Sequence, residues 1–175
     1  ERGGPDTAQY LQRIDQETER LEALIAQLLS TREQPPTLED HVDLAALLEK
    51  LCADARFEGR PLDKDVVFAC DRPQAIVATA GDLLQKIFEN ILRNAVHHTP
   101  PHSTVSVSLT GVPEGYSVRI ADQGAGVEES ELDRIFDEFY RAKNQRTVDI
   151  RGTGLGLSLV KKLVDMHQGR LMVTS

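Results

Sequence analysis

Asn90 and Asn94 stand four residues apart in "FENILRNAVHH", where apolar residues recur at helical spacing. Leu84, Phe88, Ile91 and Ala95 centre the apolar face, with Ile87 and Leu92 beside them. The two asparagines therefore share one flank, and His98 extends that edge by another turn. Helix interiors do not favour Asn, because its amide competes with the backbone. A stacked pair at the edge of a core suits one of two purposes. The amides bond a neighbouring loop, or they offer oxygens to a hard cation such as Mg2+. Neutral amides fit a metal whose other ligands are phosphate oxygens, since a carboxylate there would add repulsion.

Two glycine clusters offer further chemistry. In "IADQGAGV" a strand-like stretch delivers Asp122, followed by Gly124 and Gly126. A carboxylate accepts hydrogen bonds from an exocyclic amine such as adenine's, and the glycines let a base approach the backbone. The plainer account is a β-turn. In "RGTGLGLSLVKKLVDMHQG" Gly152, Gly154 and Gly156 precede an apolar-periodic run. Unpaired N–H groups and a partial positive charge at a helix start suit a phosphate. The alternative is a flexible loop ahead of an amphipathic helix. Between the clusters Arg141, Lys143, Arg146 and Arg151 face only Asp149, in a chain of net charge -8. A solvated surface explains most charge runs. A run of sign opposite to the whole chain, bounded by glycines, reads instead as a mobile lid over an anion.

These residues need elements to hold them. Residues 6 to about 32 read as one long helix, with Leu11, Ile14, Thr18, Leu21, Ile25 and Leu28 on a heptad-like seam widened by Leu24 and Leu29. Pro35 and Pro36 end it. "VDLAALLEKLCADARFEG" reads as a helix capped by Asp43 and ended at Gly59. "KDVVFAC" and "QAIVATA" are short strands, and a strong helix follows in "AGDLLQKIFENILRNAVHHT". "STVSVSLTGVPEGYSVRIAD" is a hairpin around a Gly/Pro turn. A short helix over 129–136, a last helix over 155–167 and a strand in "GRLMVTS" complete the reading. The class is α+β: an α/β sandwich whose mixed, mostly antiparallel sheet is covered by helices on one face, preceded by one long bundle-forming helix. Three parts are expected: 1–34 an incomplete dimerisation helix, 35–41 a proline hinge, and 42–175 the catalytic unit.

Composition closes off other classes. A net charge of -8 excludes a nucleic-acid surface built on clustered cations. No stretch of about 18 apolar residues is present, so the chain holds no expected membrane span. Cys52 and Cys70 lack metal-site spacing and read as core-filling thiols. There is no GxxxxGK[ST] loop, and the spacing of Gly152, Gly154 and Gly156 is not GxGxxG.

Together "FENILRNAVHHTP", "DQGAG", "IFDEFYR" and "GTGLGLSLVKKLV" resemble, in order and spacing, the N, G1, F and G2 boxes of the sensor histidine kinases. That ATP-binding fold, the Bergerat or GHKL fold, is shared with gyrase, mismatch-repair and heat-shock-chaperone ATPases. "YLQRIDQETERLEALIAQLLSTRE" is similar to the second helix of the kinases' dimerisation and phosphotransfer domain. The resemblance implies that Asn90 and Asn94 orient ATP phosphates and Mg2+, with Asn94 the direct metal ligand. It implies that Asp122 reads the adenine amine beside Gly124 and Gly126. Tyr140 and Arg141 of the F box and Gly152, Thr153, Gly154, Leu155 and Gly156 of the G2 box complete the nucleotide contacts, with Arg141 reaching towards phosphate and Leu155 walling the pocket. The partners implied are a phosphoacceptor histidine on the full-length chain or its dimer mate, and a response regulator receiver domain. Homodimerisation is expected through residues 6–32, in a cytoplasmic domain of a protein of the bacterial inner membrane.

Two departures stand out. His97 and His98 occupy places where the family usually has a basic and an aromatic residue. His98 is expected to stack on adenine; His97 is a weaker phosphate partner than lysine unless protonated. Glu89 is similar in place to a general base of related ATPases, but on the wheel it points about 100° away from Asn90. The second departure is that none of His41, His97, His98, His102 and His167 sits in a phosphoacceptor motif resembling HExxTP. The expectation is a fragment that binds ATP for transfer to a histidine it lacks, ending one strand early. The alternatives are another GHKL-type ATPase or serine kinase, or a non-catalytic nucleotide-binding module.

Overall fold

The computed structural model describes residues 40–142 and 154–175, with Leu21 besides. The opening helix, the prolines and most of the basic stretch, including Gly152 and Thr153, lie outside the described residues.

Three strands make the main sheet, in the order β2 (Asp65–Cys70), β4 (Thr104–Val112), β5 (Gly115–Ala121). The pairing of β2 with β4 is parallel, Asp65 opposite Thr104 and Cys70 opposite Leu109. The β4–β5 pairing is the expected hairpin, closed with Val112 opposite Gly115. Along β4, Val105, Val107 and Leu109 point inward and are buried, while Ser106 and Thr110 face out. This period of two leaves one face for helices to cover. They are α1 (Leu44–Gly59), α2 (Gly81–His98) and α3 (Gly156–Met166), which bring Leu48, Leu51, Phe88, Leu92, Leu159 and Leu163 into the same core. The outer face stays open, as at Val67. The α+β expectation, a mixed sheet covered on one side, is met.

Local chemistry explains the boundaries. Asp43 accepts the Ala45 N–H at 3.0 Å and so caps α1, as its position predicts. The same Oδ1 takes the Ala75 N–H at 3.2 Å, tying the helix start to the approach of β3 (Ile76–Thr79). Cys52 fills the core, and burial pushes its thiol up to about 11 against the lowering pull of Arg56.

Three expectations change. Asp40–Asp43 forms a strand, β1, paired antiparallel with β3, so Asp40 and His41 belong to a two-stranded sheet inside the stretch read as hinge. The short helix over 129–136 is two 3-10 turns, Glu129–Glu131 and Arg134–Phe136. Residues 169–175 form no strand: their backbone has no ladder partner, and Met172 is 80% exposed.

Candidate functional site

Helix α2 supplies the first half of the site. Asn90 lies deeper than the flank its sequence position suggests, at 1% exposed. Its Nδ2 donates to the Lys86 carbonyl at 2.9 Å, and its Oδ1 accepts from Arg93 at 3.1 Å. Both ends of this buried amide are thus engaged, which makes it a fixed part of the wall. Asn94, one turn on, is half-buried. Glu89 is held along its own helix by Gln85 at 2.6 Å and Lys86 at 3.6 Å.

Opposite them starts α3. Among the described residues no side chain caps its N-terminus. Its first residue, Gly156, lies so close that an added Cβ would come within 3.1 Å of Asn90 Oδ1 and 4.0 Å of Asn94 Nδ2. The carboxamide pair and the glycine-led helix start therefore face each other. Leu155 is buried beside them, its carbonyl accepting the Ser158 hydroxyl at 2.8 Å.

The end of α2 meets the G1 turn. Strand β5 delivers Asp122, whose Oδ1 accepts the Gly124 N–H at 2.7 Å. A Cβ on Gly124 would stand 2.9 Å from the His98 carbonyl, so this turn is packed on the helix C-terminus. Gly126 follows, next to the Ser175 hydroxyl. Lys64 caps the same helix end from within the core, donating to the Val96 carbonyl at 2.7 Å and the His97 carbonyl at 3.4 Å. A cation there complements the helix dipole. Burial lowers the Lys64 pKa. The helical reading did not single Lys64 out, because nothing local links it to residues some thirty positions on.

His98 sits between these groups. Burial holds its pKa below the ordinary histidine value; Asp122 works against that, and His97, Arg141 and Lys64 add to it. A histidine that resists protonation in the folded state costs stability once the unfolded chain protonates. Its contribution is fully present above the ordinary value of 6.5 and is lost as pH falls below it. Thermal unfolding followed from pH 7.5 to 5.5 is expected to show a falling midpoint, with a shallower slope in His98→Phe. Equal slopes would remove His98 as the cause.

The F-box turn completes the frame. The Phe139 N–H donates to the Gly154 carbonyl at 3.1 Å, and Lys162 of α3 pairs with Glu138 at 2.6 Å. The Tyr140 hydroxyl donates to Glu131. Of the expected site residues, Asn90, Asn94, His98, Asp122, Gly124, Leu155 and Gly156 converge. The charge of Arg141 reaches His98, and His97 is exposed at the same helix end.

A mixed sheet backed by three helices, with a glycine-led helix start facing two carboxamides, is the frame of a nucleotide-binding α/β sandwich. The family described as "Histidine kinase-, DNA gyrase B-, and HSP90-like ATPase" matches residues 79–175, and the chain belongs to it. It is 29% identical over 175 residues to sensor protein kinase WalK of Staphylococcus aureus, covering 95% of this chain and 41% of that one. The chain thus spans less than half the length of this relative. The structure of the mycobacterial sensor histidine kinase MprB is similar at TM-score 0.64 and 26% identity, covering 74% of this chain and 82% of that chain. Full-length ShkA in complex with AMPPNP shares the fold at TM-score 0.72 and 20% identity, over 95% of this chain and 35% of that one. The described part thus carries a domain of this ATPase family, and the relatives and solved structures it resembles are sensor histidine kinases.

Proposed function

We propose that this chain binds ATP with Mg2+ and presents the γ-phosphoryl to a histidine imidazole supplied by the rest of its protein or by a dimer mate. The observation that carries this reading is the meeting of the α3 N-terminus with Asn90 and Asn94, while Asp122 and His98 close the other end. The α3 N–H groups, led by Gly156, receive phosphate oxygens. Asp122 accepts from the adenine amine, and the His98 ring, kept neutral by burial, stacks on the base. Arg141 offsets phosphate charge.

The donor set fits Mg2+. The Asn90 amide oxygen lies beside Gly156 at the start of α3, where phosphate oxygens would come, and oxygen donors suit this cation. Asn94 would hold the ion, with Asn90 fixed behind it. Bound there, Mg2+ would offset charge on the triphosphate. In the transfer the imidazole nitrogen forms a P–N bond as the bond from γ-phosphorus to the bridging oxygen breaks. ADP leaves with that electron pair, and the other imidazole nitrogen releases its proton to water. Positioning supplies most of the catalysis. Glu89 is engaged along its own helix and receives no step.

The wider reading follows from the resemblance. The phosphoryl group passes on to a response regulator receiver domain, residues 6–32 pair two copies, and the chain is the cytoplasmic part of a membrane-anchored receptor. No helix among the described residues is long and apolar enough to cross a membrane.

Calorimetric titration with a non-hydrolysable ATP analogue tests the central claim. Binding is expected, tighter with Mg2+ than without, and Asn94→Ala is expected to lose that magnesium gain while still binding the metal-free nucleotide. Folded protein that gives no heat in either titration overturns the reading.

A further inference from the structure

Thr99 is the C-cap of α2 and is 1% exposed, although threonine is mostly a surface residue. Its Oγ1 accepts the Gln123 N–H at 3.3 Å. That N–H belongs to the peptide leaving Asp122, and Thr99 itself follows His98. One hydroxyl therefore joins the segment carrying the imidazole to the segment carrying the carboxylate. The two are packed together at the join: a Cβ on Gly124 would stand 2.8 Å from Asp122 Oδ1 and 2.9 Å from the His98 carbonyl. The helix end is a firm anchor. The Thr99 N–H donates to the Ala95 carbonyl at 3.0 Å, and Lys64 holds the Val96 and His97 carbonyls. A second strut runs to β4, where Gln123 Oε1 accepts the Thr104 N–H at 3.1 Å.

We propose that Thr99 is a positioning residue for the base end of the site, its hydroxyl setting Asp122 in register with His98; this rests on the ATP reading above. An adenine that stacks on one and bonds the other needs both in place at once. Without the hydroxyl the turn keeps its Asp122–Gly124 bond and the strut to Thr104, so its own shape survives. It loses a tie to α2, and Asp122 then samples positions out of register with the imidazole. Apparent affinity falls with the fraction of molecules that hold the competent arrangement. The phosphate end, built on Gly156, Asn90 and Asn94, stays as it is. The loss is therefore felt by a nucleotide whose base Asp122 can bond.

Thr99→Val keeps the branched shape and removes the oxygen, while Thr99→Ser keeps the oxygen and removes the methyl. The full chain carrying each is titrated with non-hydrolysable analogues of ATP and of GTP. Thr99→Val is expected to bind the ATP analogue about fivefold more weakly, the size of one net hydrogen bond, and the GTP analogue as the wild-type chain does. Thr99→Ser is expected to stay close to the wild-type chain with both. Thr99→Ala removes the same oxygen with less bulk and carries the comparison if Thr99→Val does not fold. Wild-type affinity for the ATP analogue in a folded variant without the hydroxyl overturns the proposal. So does a larger loss in Thr99→Ser than in Thr99→Val, which marks packing of the methyl, or an equal loss for both nucleotides, which marks a merely structural role. A wild-type chain that binds no ATP analogue removes the ATP reading and this proposal together.

Discussion

Gly154→Ala is expected to lower the unfolding midpoint and nucleotide affinity in one step. Gly154 holds φ +74, a left-handed conformation that costs an L-residue about 1–2 kcal/mol. The new methyl would also stand 2.8 Å from the Phe139 carbonyl carbon, 2.8 Å from the Tyr140 oxygen and 3.0 Å from the Phe139 Cα. These are backbone atoms, unable to rotate aside, and forced overlap of this kind costs about 1–3 kcal/mol. The turn must part from the start of α3, breaking the Phe139–Gly154 hydrogen bond that brings the F-box turn against the helix start proposed to receive phosphate. A midpoint lower by about 10 °C is expected, taking about 4 °C per kcal/mol for a domain of this size. Gly115→Ala is the control. Gly115 has φ +141 and nothing within 4 Å, so the substitution strains a hairpin tip far from the site. It should destabilise and leave affinity for the ATP analogue alone. Calorimetry with both variants decides, and unchanged affinity in Gly154→Ala would separate the turn from the site.

What the sequence disclosed depended on whether the signal was local. Asp43 before an apolar-periodic run announced a cap, and the cap is there. The alternation in "STVSVSLT" and "GYSVRIA" announced the hairpin, since each strand carries its own period. Strand β1 was hidden because "DHVD" offers one apolar residue in four and is made a strand only by β3 beside it. The parallel pairing of β2 with β4 likewise joins segments separated by α2, so no local pattern could set its register. In the site, Asn90 and Asn94 were legible because helical spacing puts them on one edge. Their facing Gly156 is a tertiary fact, and so are the reach of Lys64 to the end of α2 and the bond from Tyr140 to Glu131. Nothing in the sequence marked Glu131, because its burial is read only from the fold.

Asp122→Ala is expected to weaken ATP binding by about 10- to 100-fold, the range for a lost hydrogen bond to a charged group. The carboxylate does two things at once: it accepts the Gly124 N–H at 2.7 Å, shaping the turn, and it stands where the base amine would come. Asp122→Asn separates them. Its amide oxygen can still accept from Gly124, so the turn survives, while the charge that draws the amine is gone. An intermediate loss is therefore expected for Asn and the full loss for Ala. Nucleotide choice supplies a second readout. Adenine carries a donor amine where guanine carries a carbonyl oxygen. A carboxylate bonds the first and repels the second, and a site built to bond a substrate group discriminates strongly against an analogue lacking it. Wild-type protein is expected to prefer the ATP analogue to its GTP counterpart, and Asp122→Ala should bring the two affinities together. Removing Asp122 also takes away the charge that offsets the burial of His98, so the imidazole there should resist protonation further. NMR titration of His98 is expected to show a lower pKa in Asp122→Ala than in the wild-type chain. ATP binding and base preference both unaltered in Asp122→Ala would place the adenine elsewhere.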